Sequence, residues 1–110
     1  MGPETPLTFN ERGHGQSDIP YRFDLFDAHA MFKMAQVLHT GAVKYGENNW
    51  RGISIEDHLN HLIAHAYAFL AGDTSDDHLS HVMCRAMFAQ GVEIAEATNE
   101  RESNGKDGQG

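Results

Sequence analysis

The sequence predicts an all-α protein, a small bundle of three main helices that is completed by oligomerisation. Three segments carry apolar residues at intervals of three and four positions, which is the period of an amphipathic helix. Asp, Ser or Thr precedes each segment and can cap a helix, and a glycine follows the first two. No alternating β-branched run or Asn-Gly hairpin signal separates the apolar segments, so the sequence gives strands little support.

The first helix is predicted from about Phe26 to His39, after a proline at position 20 that would not fit inside it. Asp24 is the expected N-cap, and Asp27 would lie in the first turn. Residues 42–45 follow between two glycines. They either continue this helix for one turn or break into a loop.

The second helix is predicted from Ser54 to about Leu70, with Ser54 and Asp57 forming a capping box and Gly72 ending the helix. Its apolar stripe consists of Leu59, Leu62, Ile63, Ala66 and Leu70.

The third helix is predicted to begin at a second capping box, made by Thr74 and Asp77, and to fade out near Glu96. We therefore divide the chain into an irregular N-terminal segment (1–20), a helical domain (21–97) and a disordered, polar, Gly-rich tail (98–110). A core of roughly 75 to 80 residues supplies only a few kcal/mol of stability by itself, so we expect a homodimer or homotetramer.

The charge and composition exclude several classes of partner. A formal charge of -8, from 16 acids against 8 lysines and arginines, disfavours binding to a nucleic-acid polymer. A single small-molecule nucleotide, bridged to carboxylates by a metal ion, is still compatible with this charge. One cysteine, Cys84, cannot form an internal disulfide, and no apolar stretch approaches a membrane span. We expect a cytoplasmic protein without a membrane partner.

Histidines and aspartates cluster on one side of each of the last two predicted helices. At 100° per residue, four such residues of helix two share an arc beside the apolar stripe, and helix three repeats the pattern. A short connection between two antiparallel helices would turn the two arcs toward each other. The residues are Asp57, His58, His61 and His65, and Asp77, His78, His81 and Arg85.

Such a cluster has the residue types of a metal site, because rigid helices present ligands at spacings of three and four. Asp73, Asp76 and Asp77 add carboxylates where helix three begins. Oxygen ligands favour Mg²⁺ or Mn²⁺, whereas imidazoles favour Mn²⁺, Co²⁺ or Zn²⁺, so the sequence leaves the metal open. The alternative interpretation is that the histidines are solvated and that Asp57 and Asp77 only cap helices.

The segment from Thr40 to Gly52 places a cation, two aromatic residues and two amides between glycines. Lys44 can neutralise a phosphate there, and Tyr45 or Trp50 can stack on a base. Alternatively, Trp50 is a packing residue that holds the loop and Lys44 is only exposed.

Two motifs resemble the phage dATP/dGTP diphosphohydrolase family, the MazZ-like relatives of the MazG pyrophosphohydrolases. They are Arg22-Phe23-Asp24-Leu25 and the Gly-Ala-x-Lys-Tyr-Gly-x-x-Asn-Trp loop at residues 41–50. Weaker matches follow, and the likeness covers about residues 21 to 95. They are His61-Leu62, Gly72-Asp73, and Asp76, Asp77, Leu79 and His81.

The resemblance implies a MazG-like all-α enzyme of a phage, active in the host cytoplasm, that hydrolyses a purine deoxynucleoside triphosphate to the monophosphate and pyrophosphate with a divalent metal. It implies catalytic roles for Asp73, Asp76, Asp77 and His61, and metal ligation by the same four residues and His81. It implies substrate contacts from Arg22, Lys44, Tyr45, Asn49 and Trp50.

MazG-type enzymes usually carry Glu-x-x-Glu and Glu-x-x-Asp, and this chain has neither motif; Asp73-x-x-Asp76 is the nearest approach. Two other functions fit the residues: a non-catalytic helical module that binds metal or a partner, and a different His/Asp metallophosphohydrolase.

Overall fold

The computed structural model describes residues 7–9 and 12–109, with side chains described for residues 12–102. Three helices dominate it, and each predicted helix is present. Two short strands and two 3-10 turns precede or connect them. The elements are β1 (Leu7–Phe9), β2 (Gly15–Ser17), a 3-10 turn (Phe23–Leu25), α1 (Ala28–Tyr45), a second 3-10 turn (Asn49–Gly52), α2 (Ile55–Leu70) and α3 (His78–Gln109).

The two strands form a small antiparallel ladder in which Thr8 pairs with Gln16. They lie inside the segment that the sequence predicts to be irregular. Strands of three residues are too short for an alternating pattern to become visible, so they leave no signal in the sequence. The predicted division of the chain at residues 20 and 97 stays a prediction.

Helix α1 begins two residues later than predicted and is capped by a different aspartate. The Asp27 carboxylate accepts hydrogen bonds from the backbone N–H groups of His29 (3.0 Å) and Ala30 (3.5 Å). Asp24, the predicted cap, lies in the first 3-10 turn and pairs with Arg22 instead. Residues 42–45 continue the helix, which ends at Gly46, where φ is 97°.

Helix α2 has the predicted start and end, because Ser54 Oγ accepts a hydrogen bond from the Asp57 N–H at 3.1 Å and Gly72 follows the helix with φ of 85°. Helix α3 starts four residues after Thr74, so that the predicted capping box of Thr74 is wrong. Its backbone continues to Gln109, beyond Glu96. The end of an apolar stripe shows where a helix stops packing, and a polar helix can continue past it.

Helix α3 lies at the centre of the fold, because α2 packs along it and α1 also contacts it. The buried apolar residues of the described chain all belong to α3, namely Cys84, Ala89 and Val92. The Cys84 thiol donates to the Met34 carbonyl of α1 at 3.5 Å, and burial raises the pKa of that thiol. No helix in the described part of the chain is both long and apolar enough to cross a membrane.

Trp50 fixes the turn before α2 onto α3. Its ring stacks on Phe88 with 4.8 Å between centroids, and the Arg51 guanidinium lies 4.3 Å from the centroid of the indole ring. A Cβ at Gly91 would stand only 2.8 Å from the indole, so this position requires a residue without a side chain. The absence of a side chain at Gly91 of α3 thus leaves room for the Trp50 ring.

We expect Gly91→Ala to lower the free energy of unfolding by about 1–3 kcal/mol, because overpacking against the rigid indole outweighs the better helix propensity of alanine. Gly41→Ala is the matched control. Gly41 lies inside α1 with open space around it, so alanine there should raise stability by about 0.5–1 kcal/mol. Urea denaturation measures both, and a stabilised Gly91→Ala protein would contradict the packing described for Trp50.

Candidate functional site

The connection between α2 and α3 turns the end of one helix against the start of the next. Gly72 takes a left-handed conformation, and the N–H of Asp73 donates to the Ala68 carbonyl at 3.0 Å. This geometry closes the end of α2 in the manner of a Schellman motif. The two helices run antiparallel, because His65 near the end of α2 meets His78 at the start of α3, whereas the earlier His58 meets the later Arg85.

A pair of imidazoles forms the centre of the site. The Nδ1 atoms of His65 on α2 and His78 on α3 face each other at 2.9 Å. His78 is buried, and its Nε2–H donates to the Asp73 carboxylate at 2.5 Å. When neutral, His78 consequently has its proton on Nε2 and a free electron pair on Nδ1, the atom that faces His65.

Asp76 and His81 complete the group that we call the His/Asp cluster, which consists of Asp73 and Asp76 with His65, His78 and His81. Ligand atoms of His65, Asp76 and His78 all lie within 4.8 Å of one another. His81 stacks on His65 with 4.5 Å between centroids, and its Nε2 is 3.4 Å from an Asp76 oxygen. One carboxylate and two imidazoles therefore point into a common space.

The electrostatics of the cluster favour a neutral His65 and an ionised Asp73. Burial lowers the pKa of His65, and the neighbouring His81 and His78 lower it further. Hydrogen bonds from Ser75 and His78 lower the pKa of Asp73. A neutral imidazole is the form of histidine that binds metal.

The donor set has the residue types of a site for a divalent metal. An ion with bonds of about 2.0–2.1 Å to two imidazoles holds their nitrogens about 2.9–3.3 Å apart, depending on the bond angle. The observed separation of 2.9 Å between the two Nδ1 atoms lies at the lower end of that range. Asp73 holds the far nitrogen of His78, which is the usual carboxylate support of a metal-binding histidine.

The predicted metal ligands divide into two groups in the structure. Asp73, Asp76 and His81 are in the His/Asp cluster. Asp77 instead stands before the first residue of α3, where it accepts from Ser80 Oγ at 2.7 Å and pairs with Lys33 of α1 at 3.3 Å. The hydrogen bond from Ser80, and then Lys33, lower the pKa of Asp77. Its position is that of a helix cap, the alternative that the sequence had left open.

His61 is exposed on α2, and among the described residues it makes none of the hydrogen bonds or ring contacts that join the cluster. His65, one helical turn further on, lies where His61 was expected. The sequence contained a signal for this position, because His65 shares the arc of His61 and is nearer to the connection with α3.

The predicted substrate residues lie outside the cluster contacts in the described chain. Arg22 makes two hydrogen bonds to Asp24, at 2.8 and 2.7 Å, and Lys44 lies 5.1 Å from the Tyr45 ring centroid. Asn49 is exposed at the start of the second 3-10 turn, and Trp50 packs on α3 as described above. Their roles in binding stay predictions. The position of Trp50 is the one expected if this residue packs and holds the loop.

The contact between His58 and Arg85 was not expected from the sequence. His58 is fully buried, and its Nε2–H donates to the Trp50 carbonyl at 2.9 Å. Its Nδ1 accepts from Arg85 at 3.1 Å. Both residues lie on the arcs that the helical period had identified, so the signal was present, but a histidine on such an arc does not reveal whether it is buried.

The described chain is a small helical protein with a cluster of histidines and aspartates where two antiparallel helices meet. The sequence profile of the family described as dATP/dGTP diphosphohydrolase, N-terminal, matches residues 10–102. The chain belongs to this family. Searches of curated proteins and of solved structures gave no match.

We expect the free energy of unfolding to fall as the pH drops below about 6.5, the ordinary pKa of histidine. The folded pKa of His65 is lowered, so the unfolded chain takes up this proton first, and acid favours unfolding until the folded pKa is reached. His65→Gln should reduce the dependence of the free energy of unfolding on pH, whereas His39→Gln, which removes an exposed histidine of α1, should leave this dependence unchanged. Urea denaturation at several pH values between 8 and 5 measures the free energy of unfolding. The same pH dependence in the wild type and in His65→Gln would contradict the lowered pKa of His65.

Proposed function

We propose that this protein is a metal-dependent diphosphohydrolase that cleaves dGTP or dATP to the deoxynucleoside monophosphate and pyrophosphate. The observation that carries the proposal is the juxtaposition of His65, His78 and Asp76 in a chain that belongs to the dATP/dGTP diphosphohydrolase family. Such an enzyme would act on the free nucleotide pool of the cytoplasm, as expected for a phage protein in its host.

The residues of the cluster have different roles in this proposal. His65, His78 and Asp76 hold the ion, and Asp73 orients His78 through its Nε2–H. Two imidazoles and one carboxylate favour Mn²⁺, Co²⁺ or Zn²⁺ over Mg²⁺. A bound divalent ion lowers the pKa of water and neutralises charge on the phosphates.

The reaction also needs a group that takes a proton from the attacking water. His81 is suited to this role, because it is half-exposed beside Asp76 and does not donate to Asp73 as His78 does. Water adds to the α-phosphorus, the bond to the bridging oxygen breaks, and pyrophosphate leaves. The proton of the water passes to the imidazole of His81.

We expect the purified protein to release pyrophosphate from dGTP or dATP only with a divalent metal, and chelation to stop the reaction. His78→Ala removes a ligand and should abolish metal uptake and turnover together. Asp73→Asn should weaken metal affinity by about 10–100-fold, because it removes the carboxylate that orients His78. Pyrophosphate assays with Mg²⁺, Mn²⁺, Co²⁺ and Zn²⁺, together with metal analysis, measure both effects.

Asp18→Asn is the matched control, because Asp18 is exposed in the segment before the first 3-10 turn. It should change neither metal uptake nor turnover. A protein that takes up metal but releases no pyrophosphate from any common deoxynucleoside triphosphate would support the non-catalytic module instead. Release of inorganic phosphate alone would support a different metallophosphohydrolase.

We also propose that the protein works as a homodimer or homotetramer, because apolar side chains line one exposed side of α2 in the single chain. They recur along the helix at intervals of three or four positions, so they form a stripe. A second copy of the chain carries a stripe of the same period, which can pack against the first one. Its residues are Leu59, Ile63, Tyr67 and Leu70, which are 43, 50, 69 and 77% exposed.

We expect light scattering after gel filtration to give at least twice the chain mass for the wild type. Ile63→Asp should shift it toward the monomer, because a carboxylate within an apolar interface is costly to desolvate. His61→Asp places a carboxylate on the exposed side of the same helix that lies away from the stripe, and it should leave the mass unchanged. A monomeric wild type at tens of micromolar would disprove the proposed assembly.

A further inference from the structure

Arg85 is a half-buried cation that lies next to the His/Asp cluster without belonging to it. It follows His81 by one turn of α3, and its positive charge is among the causes that lower the pKa of His65. The proposed function above assigns it no role. Its position places a guanidinium beside the imidazoles of the cluster.

His58 orients this arginine by accepting a hydrogen bond from it. Because the Nε2–H of His58 donates to the Trp50 carbonyl, its Nδ1 carries the electron pair that accepts from Arg85 Nη1 at 3.1 Å. The imidazole is therefore neutral, with both nitrogens in use, and it is fully buried. A neutral acceptor orients the guanidinium without neutralising its charge.

The charge of Arg85 has no carboxylate partner within ion-pair distance in the described part of the chain. By contrast, the exposed Arg22 is neutralised by Asp24. A guanidinium has five N–H donors. In the described part of the chain, the one hydrogen bond of Arg85 is the bond to His58. A partly buried cation with free donors and no acid is arranged for an anion from outside the chain, and its planar fork matches the oxygens of phosphate.

We propose that Arg85 is the phosphate-binding residue of this site and that His58 is the positioning residue that aims it. This inference rests on the proposed function, in which the ligand is the triphosphate of a deoxynucleotide. Arg85 neutralises charge on the phosphate chain from the side of α3, next to the ion held by His65, His78 and Asp76. It reads phosphate and not the base, so its contribution is the same for guanine and adenine nucleotides.

The test is calorimetric binding of the α,β-methylene analogues of dGTP and dATP, which resist cleavage at the α-β link, in saturating Mn²⁺. We expect Arg85→Gln to weaken both analogues by the same factor, at least about tenfold, from the loss of charge-assisted hydrogen bonds. Mn²⁺ uptake should not change. Arg101→Gln, an exposed arginine near the far end of α3, should bind both analogues like the wild type.

Wild-type affinity in Arg85→Gln would overturn the inference. If Arg85→Gln lowers the unfolding midpoint, Arg85→Lys decides instead, because it keeps the charge but loses the fork. Lysine should weaken binding a few-fold, and unchanged affinity would again overturn the role.

Two variants of His58 separate positioning from packing. Asn can place an amide oxygen where Nδ1 accepts from Arg85, whereas Gln can place an amide N–H where Nε2 donates to the Trp50 carbonyl. We expect His58→Asn to keep analogue affinity and His58→Gln to lose it, although both lower stability. Equal losses of affinity in the two variants would overturn the positioning role.

The outcome also separates this inference from the proposed function. Analogue binding that depends on Arg85, in a wild type that releases no pyrophosphate from dGTP, supports the arginine and refutes the hydrolysis. Metal-dependent pyrophosphate release with full analogue affinity in Arg85→Gln supports the hydrolysis and refutes the arginine.

Discussion

The buried imidazole of His58 joins the turn before α2 to helix α3 by two hydrogen bonds. One nitrogen donates to the turn before α2 through the Trp50 carbonyl, and the other accepts from Arg85 of α3. Neither bond can be lost without leaving a polar group unpaired in a buried place, which costs about 1–3 kcal/mol. This interaction fixes how α2 lies along α3, and Trp50 seated against Gly91 fixes it a second time.

The same register produces the His/Asp cluster. With His58 opposite Arg85, the antiparallel path of α2 brings His65, two turns later, against His78 and His81. The three aspartates around the start of α3 then take different roles by position alone. Asp73 supports an imidazole, Asp76 faces the shared space, and Asp77 stands just before α3, where it accepts from Ser80 and reaches Lys33 of α1. Residues of one type thus differ in chemistry because their neighbours differ.

Polar chemistry and apolar surface occupy different sides of the helix pair. The buried residues of the described chain include three polar ones, His58, His78 and Ser80, as well as small apolar ones from α3. The large apolar side chains of α2 face outward, where they cannot stabilise a single chain. The proposed assembly would cover this stripe, and burial of apolar surface contributes about 25 cal/mol per Å².

Local sequence was enough to predict the three helices, the Ser54 cap and Gly72 stop of α2, and the arcs of histidine and aspartate, because these depend on a period of 3.6 residues and on local capping. The loop motif of the family was visible there too. Packing between helices was needed to show that His65 and not His61 meets α3, that Asp77 pairs with Lys33, that Trp50 packs, and that His58 is buried. A helical period defines a direction for each side chain, but the register between two helices decides which of several residues on one arc meet a partner, and that register is set by packing.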